Sequence, residues 1–150
     1  LSKGYSLAGL RLGYGLGSAE LITPMLNKTR DSYNLDGISQ VLGTAALQHQ
    51  EYAADTWQRV RQERSRMTTE LSSRQFQVSP SQTNFLLAEV PRGCVAEDIY
   101  RQLKQAGILV RYFAAPRLQD KLRITVGTPE ENTRLLESLD HILSDSGSAT

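Results

Sequence analysis

A serine, a lysine and an arginine stand close together at the start of this chain, and their chemistries complement one another. Lys3 carries a primary amine, which becomes a nucleophile when burial or a neighbouring cation lowers its pKa. Ser2 offers a hydroxyl, and Arg11 offers a guanidinium fork suited to a phosphate. These are the parts that hold pyridoxal phosphate: an amine for the aldehyde and donors for the phosphate. Spacing alone favours the plainer alternative, two solvated basic residues beside a glycine-bearing turn.

A second pair lies near the other end. Arg111 closes a predicted strand, Ile108–Arg111, and Arg123 stands near the start of another, Leu122–Val126. If the two strands pair as an antiparallel hairpin, both arginines emerge at the same end. Two adjacent guanidinium groups repel unless an anion sits between or beside them, and a substrate with a carboxylate and a phosphate suits that arrangement. Two surface arginines flanking a loop is the alternative that spacing alone prefers. The remaining chemistry-bearing residues read as structural. Cys94 is a lone thiol, and His49 and His141 are far apart on predicted helices, so no metal site is expected. Arginines 59, 61, 64 and 66 fall on different helix faces with Glu63 and Glu70 between them, a solvated helix rather than a nucleic-acid stripe. Trp57 and Phe76 read as core.

The elements that must position these groups follow from periodicity. The opening stretch LSKGYSLAGLRLGYGLG has glycines at 4, 9, 13, 15 and 17, and Leu10–Leu16 reads as a short strand with Gly13, Gly15 and Gly17 on its closely packed face. Ser18 is placed to cap a helix over Ala19–Asn27, broken near Pro24. Thr29–Asp36 is turn-like. Gly37–Gln50 reads as a helix burying Ile38, Leu42, Ala45, Ala46 and Leu47. Tyr52–Ser72 reads as a long helix with Ala53, Trp57, Val60, Met67 and Leu71 as its apolar stripe and Arg64 alongside. Beyond Phe76 come a strand at Asn84–Val90, a helix at Val95–Ala106 stopped by Gly107, and the two strands that end and begin with the arginines. Thr128-Pro129-Glu130-Glu131 is a capping box opening a last helix, Pro129–Leu143, with Leu135, Leu136, Leu139 and Leu143 inward. Ser144–Thr150 reads as a frayed tail. From residue 76 on, this pattern predicts a sheet with helices on one face.

Composition narrows the function classes. Of 150 residues, 39% are hydrophobic and 22% charged, enough to bury a core. Seventeen Lys/Arg against sixteen Asp/Glu leave a net charge of +1, too balanced for binding driven by phosphate charge alone. One cysteine excludes an internal disulfide and a cysteine-based zinc cage. No apolar run approaches the roughly 18 residues of a membrane span, and no signal peptide is visible, so a cytoplasmic location is expected.

The stretch SKGYSLAGLRLGYGLG, residues 2–17, resembles the lysine segment of fold-type I aminotransferases, and among them the class II histidinol-phosphate aminotransferases. There the pattern is Ser-Lys, a short loop, then Ala-Gly-Leu-Arg-x-Gly followed by Tyr or Phe. Ser2, Lys3, Ala8, Gly9, Leu10, Arg11, Gly13 and Tyr14 match it in register. GILVR (107–111) and LRITVGTPEEN (122–132) resemble that family's C-terminal domain, and TNFLL, with Asn84, resembles a strand often reading Ala-Asn-Phe-hydrophobic. The resemblance implies that Lys3 bonds the pyridoxal 5'-phosphate aldehyde and later serves as general base and acid, while Ser2 and Arg11 hold the cofactor phosphate. It further implies that Arg123 clamps the substrate α-carboxylate, that Arg111 helps bind a substrate phosphate, and that Asn84 lies near the substrate. The Arg111 assignment crosses a loop, Tyr112–Lys121, that varies in the family.

The implied activity is transamination of histidinol phosphate with 2-oxoglutarate in histidine biosynthesis, by a cytoplasmic homodimer whose neighbouring subunit completes each site. Its partners are small molecules (an amino acid or its phosphate, and a 2-oxo acid), with no nucleic acid, membrane or metal. A threonine-phosphate decarboxylase, an aromatic aminotransferase and a non-catalytic truncated remnant are the alternatives. The implied fold class is α/β. Residues 1–50 form the end of the cofactor-binding large domain, 51–75 a connecting helix, 76–143 a small α+β domain and 144–150 a tail. The match runs from residue 1 to about 143 but corresponds only to the C-terminal part of the family. The N-terminal arm, most of the large-domain sheet and several ring contacts, including the aspartate on the pyridine nitrogen, have no counterpart. The chain, opening on Leu1, is therefore expected to be a fragment of a longer enzyme and inactive by itself.

Overall fold

The computed structural model describes residues 1–146, so most of the expected tail, from residue 147, lies outside the described residues. The chain divides into two units, Leu1–Gln58 and from Arg59 onward.

In the second unit four strands form an antiparallel sheet: β1 (Gln77–Val78), β2 (Phe85–Glu89), β3 (Arg111–Tyr112) and β4 (Lys121–Thr125), in the order β1-β2-β4-β3. Strand alternation sorts the side chains. Leu86, Ala88, Leu122 and Ile124 point to one face and are at most 2% exposed, whereas Phe85, Leu87, Arg123 and Thr125 point to the other. Two helices, α4 (Ala96–Gln105) and α5 (Pro129–Ser146), supply Ile99, Leu103, Leu135, Leu136, Leu139 and Ile142 to the core, joined by Met67 and Leu71 of α3 (Gln50–Ser73). The short β1 and the start of β3 at Arg111 differ from the sequence reading. Ile108 and Val110 pack against the core without pairing in the sheet, so the expected strand Ile108–Arg111 is displaced toward Tyr112. Gly107, at φ +74°, ends α4 as expected, and Ile108 N donates to Leu103 O at 2.8 Å. The capping box forms, with Thr128 N donating to Glu131 and Glu131 N to Thr128 Oγ1. The helix it opens runs three residues beyond the expected end, to Ser146.

One buried polar residue ties the end of β4 to α3. Asn132 is 2% exposed. Its Oδ1 accepts from Gly127 N at 3.0 Å, and its Nδ2 donates to Gly127 O and to Glu63 Oε2. Arg66 holds the same Glu63 carboxylate, and its hydrogen bond is the main reason that carboxyl sits below the usual range. Neighbouring Arg64 donates to Thr83 O at 2.8 Å, just ahead of β2. Substituting Asn132→Leu leaves the Gly127 peptide without its side-chain partner and takes one hydrogen bond from Glu63, which keeps Arg66. A loss of about 1–3 kcal/mol is expected, read from urea unfolding midpoints.

Just past the end of α3, Arg74 donates through two nitrogens to Asp140 of α5, at 2.7 and 2.8 Å, and through a third to Glu70. The Arg74 hydrogen bond holds the Asp140 carboxyl below the usual range. The folded carboxyl therefore keeps its charge to lower pH than the unfolded one. The pair's contribution is full at neutral pH and is lost as pH falls through the lowered pKa. Because the Asp140 side chain is 54% exposed, Asp140→Asn should cost less than about 1 kcal/mol at neutral pH, and the gap should close as the pH falls below the usual carboxylate range in urea titrations.

The first unit contains no strand among its described residues. The segment Leu10–Leu16, expected to be a strand, is a one-turn 3-10 helix at Ala8–Leu10 followed by unpaired chain. A strand needs a neighbour for its N–H and C=O groups, and this unit offers none. The close packing expected at Gly13 and Gly15 is likewise absent. Helix α1 (Ala19–Pro24) gives way at Pro24 to a wider turn, Met25–Thr29, where Arg30 N reaches back to Met25 O. Ser18 stands at the N-cap of α1, but its side chain makes no cap hydrogen bond. Helix α2 (Gly37–Gln48) buries Ser39 and Gly43. Ile38, Leu42 and Leu47, expected inside, are exposed.

Candidate active site

Each unit carries one of the two residue groups singled out by sequence. In the first unit, Lys3 sits in a tight turn where Ser6 N donates to Lys3 O at 3.2 Å and Tyr5 N to Leu1 O at 3.3 Å. Trp57 anchors that turn. Its indole Nε1 donates to Gly4 O at 2.5 Å, and its ring meets Tyr5 edge-on at 5.4 Å. The indole expected to be a plain core residue thus fastens the lysine's loop. Lys3 is exposed and its amine has no hydrogen bond among the described residues, while Ser2 is half-buried.

Arg11 is positioned by α2. Asp36 caps the helix by accepting from Ser39 N at 2.9 Å. The Ser39 hydroxyl donates to Asp36 at 2.6 Å and also lies 3.2 Å from Leu10 O. The Ser39 hydroxyl contributes most to holding the Asp36 carboxyl below its usual range. Gly43, one turn on, is where Leu12 lies; any side chain there would run into it. Leu10 and Leu12 are thus both held against α2, and Arg11 between them takes the left-handed conformation, φ 53°. Its Nη1 donates to Ala8 O at 3.1 Å, and its other donors have no partner among the described residues. An unengaged amine, a hydroxyl and a mostly unspent guanidinium on one braced segment suit a phosphorylated aldehyde. The bracing residues Asp36, Ser39 and Gly43 went unread in the sequence. Asp36 and Ser39 form an N-cap pattern that signals only a helix start.

In the second unit the two arginines come together. Antiparallel pairing of β3 with β4 sets Arg111 directly opposite Arg123, so both side chains leave the same face of the sheet. Arg123 lies between two rings, its guanidinium carbon 5.4 Å from the centre of Phe85 and 5.7 Å from that of Phe113. Arg111 lies over Phe113 at 5.2 Å. The Arg123 Nε is buried and has no hydrogen-bond partner among the described residues. Neither arginine forms an ion pair among the described residues, in contrast to Arg66, Arg74 and Arg101, each of which has an acidic partner. Two adjacent cations with an unspent buried donor are chemically suited to an anion.

Asn84 is not drawn into this cluster. It precedes β2, where its carbonyl accepts from Val126 N at 2.9 Å, three residues before Leu87, the register partner of Arg123. Phe85 and Phe113 were missed. The usable signal was spacing, since Phe113 follows Arg111 by two and so shares its face wherever the pleat continues. Among the described residues no group of His, Cys, Asp and Glu is arranged to hold a metal, and no helix is long and apolar enough to cross a membrane.

A family model described as aminotransferase class I and II matches residues 1–139. The chain is 49% identical over 142 residues to a histidinol-phosphate aminotransferase of Rippkaea orientalis, an alignment covering 95% of this chain and 40% of that protein. It is 52% identical over 136 residues to the histidinol-phosphate aminotransferase of Synechocystis, covering 91% of this chain and 38% of that one. Among solved structures, the histidinol-phosphate aminotransferase of Sinorhizobium meliloti in complex with pyridoxal-5'-phosphate superposes with a TM-score of 0.82 at 26% identity, covering 96% of this chain and 39% of that one. The chain thus spans about 40% of the length of the curated relatives it matches.

Proposed function

The chain belongs to the aminotransferase class I and II family and has the fold of the fold-type I enzymes over the span it covers. On that premise we propose that the whole protein catalyses pyridoxal-phosphate-dependent transamination between histidinol phosphate and 2-oxoglutarate. The observation that carries this reading is the unpaired Arg111–Arg123 couple, with its unsatisfied buried Nε. Histidinol phosphate bears a phosphate ester where an amino acid bears its carboxylate, so one anion site has to accept both groups. Arg123 supplies a fork for a carboxylate, and Arg111 adds the donors and second charge that a phosphate dianion uses. Asn84 stands at the margin of the same sheet.

Lys3 would hold the cofactor through its amine, with Ser2 and Arg11 on its phosphate. When bound, pyridoxal phosphate supplies a sink for the electron pair left on the substrate α-carbon. The freed Lys3 Nζ would take the proton from that carbon and deliver it to the cofactor C4′ carbon, and in the second half of the reaction it would carry a proton the opposite way. In the whole protein, residues 1–50 complete the cofactor-binding large domain, 51–75 connect, and 76–143 form the small domain. A cytoplasmic homodimer acting on small molecules, with no nucleic-acid or membrane partner, fits the near-neutral charge of +1. The test is to incubate the protein with pyridoxal phosphate, reduce with borohydride and map the adduct. A single label on Lys3 is expected; absent or scattered labelling overturns the assignment.

A further inference from the structure

Among the described residues, Phe113 is the one side chain whose ring lies against both guanidinium groups of the proposed anion site, Arg111 at 5.2 Å and Arg123 at 5.7 Å. Its relation to the two cations is unequal. Arg123 has a second ring, Phe85 at 5.4 Å, and a buried Nε. Arg111 is exposed on the edge strand β3, and its guanidinium has no hydrogen bond or ion pair among the described residues. The Phe113 face is thus what restrains Arg111, and it does so beside a like charge that would otherwise push the group into solvent.

Resting on the reading of this couple as the substrate-anion site, we propose that Phe113 is a positioning residue that sets the site's preference for phosphate over carboxylate by holding Arg111 beside Arg123. A carboxylate is satisfied by one bidentate fork, which Arg123 provides with Phe85 behind it. A phosphate dianion has a further oxygen and a further charge, and gains from the second fork only if that fork is already in place. Loss of the Phe113 ring therefore weakens phosphate more than carboxylate. Loss of Phe85, which touches Arg123 alone, weakens both alike.

The experiment titrates the intact protein, loaded with pyridoxal phosphate, with inorganic phosphate and separately with acetate, and follows the Arg111 and Arg123 Nε–H resonances by NMR. Phe113→Leu should raise the Kd for phosphate about five-fold while shifting that for acetate about two-fold or less. Phe85→Leu should raise both by a similar factor. Phe113→Trp, which keeps a π face, should retain the parent ratio of the two constants. An unchanged ratio in Phe113→Leu, or a ratio lost equally in Phe113→Leu and Phe113→Trp, overturns the proposal. If neither anion moves the two arginine signals in the parent protein, the anion-site reading itself fails. If both anions bind and only the Phe113 dependence is missing, the fault lies with Phe113 alone.

Discussion

Lys3→Ala should abolish transamination by the whole protein while leaving its fold intact. The amine does two jobs in the proposed reaction, bonding the aldehyde and moving the α-carbon proton, and alanine can do neither. General acid–base transfer alone is worth about 10²–10⁴-fold, and loss of the covalent attachment adds to it. Stability should change by no more than about 0.5 kcal/mol, because the side chain is exposed and makes no hydrogen bond among the described residues. Steady-state turnover, paired with a thermal melt, separates the two effects. Normal turnover in the variant would sink the assignment of Lys3. Trp57→Phe is the companion measurement. It removes the indole N–H from Gly4 O but keeps a ring near Tyr5, so it should lower kcat without blocking borohydride labelling.

Arg123→Ala should raise the KM for both the amino donor and the 2-oxo acid by about a hundred-fold, with a smaller fall in kcat. A bidentate charge-assisted contact contributes about 1.5–3 kcal/mol, and each 1.4 kcal/mol is a factor of ten in affinity. Loss of both substrates together follows from one site serving both halves of the reaction. Arg123→Lys should be intermediate, since it keeps the charge but not the planar fork that fits between Phe85 and Phe113. Arg111→Ala should spare the 2-oxo acid and penalise the phosphorylated donor. Unchanged kinetics for Arg123→Ala would refute the anion clamp.

How much of this was legible beforehand depended on the range of the interaction that decides each residue. Periodicity placed the core leucines of α5, the inward pair Ile99 and Leu103, and the capping box, because these follow from local backbone geometry. That Arg111 and Arg123 meet was legible only as a condition, if the two strands paired, because spacing alone preferred two separate surface arginines and the pairing that joins them is long-range. Leu10–Leu16 was misread because alternation reports a face and not the presence of a partner strand. Ile38, Leu42 and Leu47 were assigned inward on hydrophobicity, yet α2 turns Ser39 and Gly43 toward the lysine-bearing segment. A hydroxyl that bonds Leu10 O and a glycine that admits Leu12 position that segment in a way no apolar side chain at those sites would.

The motif SKGYSLAGLRLGYGLG by itself determined which groups are the candidates for the chemistry, an amine, a hydroxyl and a guanidinium, because it fixes residue types and carries the family resemblance that spacing alone did not supply. The tertiary structure decided what those groups can reach and what holds them there. Trp57 reaches Gly4 across 53 residues, Ser39 reaches Leu10 across 29, and Asn132 reaches Glu63 across 69. The flanking of Arg123 by Phe85 and Phe113 likewise joins three separate stretches of chain. Contacts of that separation carry no periodicity for a reader to follow. They exist only once burial of the core has brought distant segments together and left each polar group to find a partner.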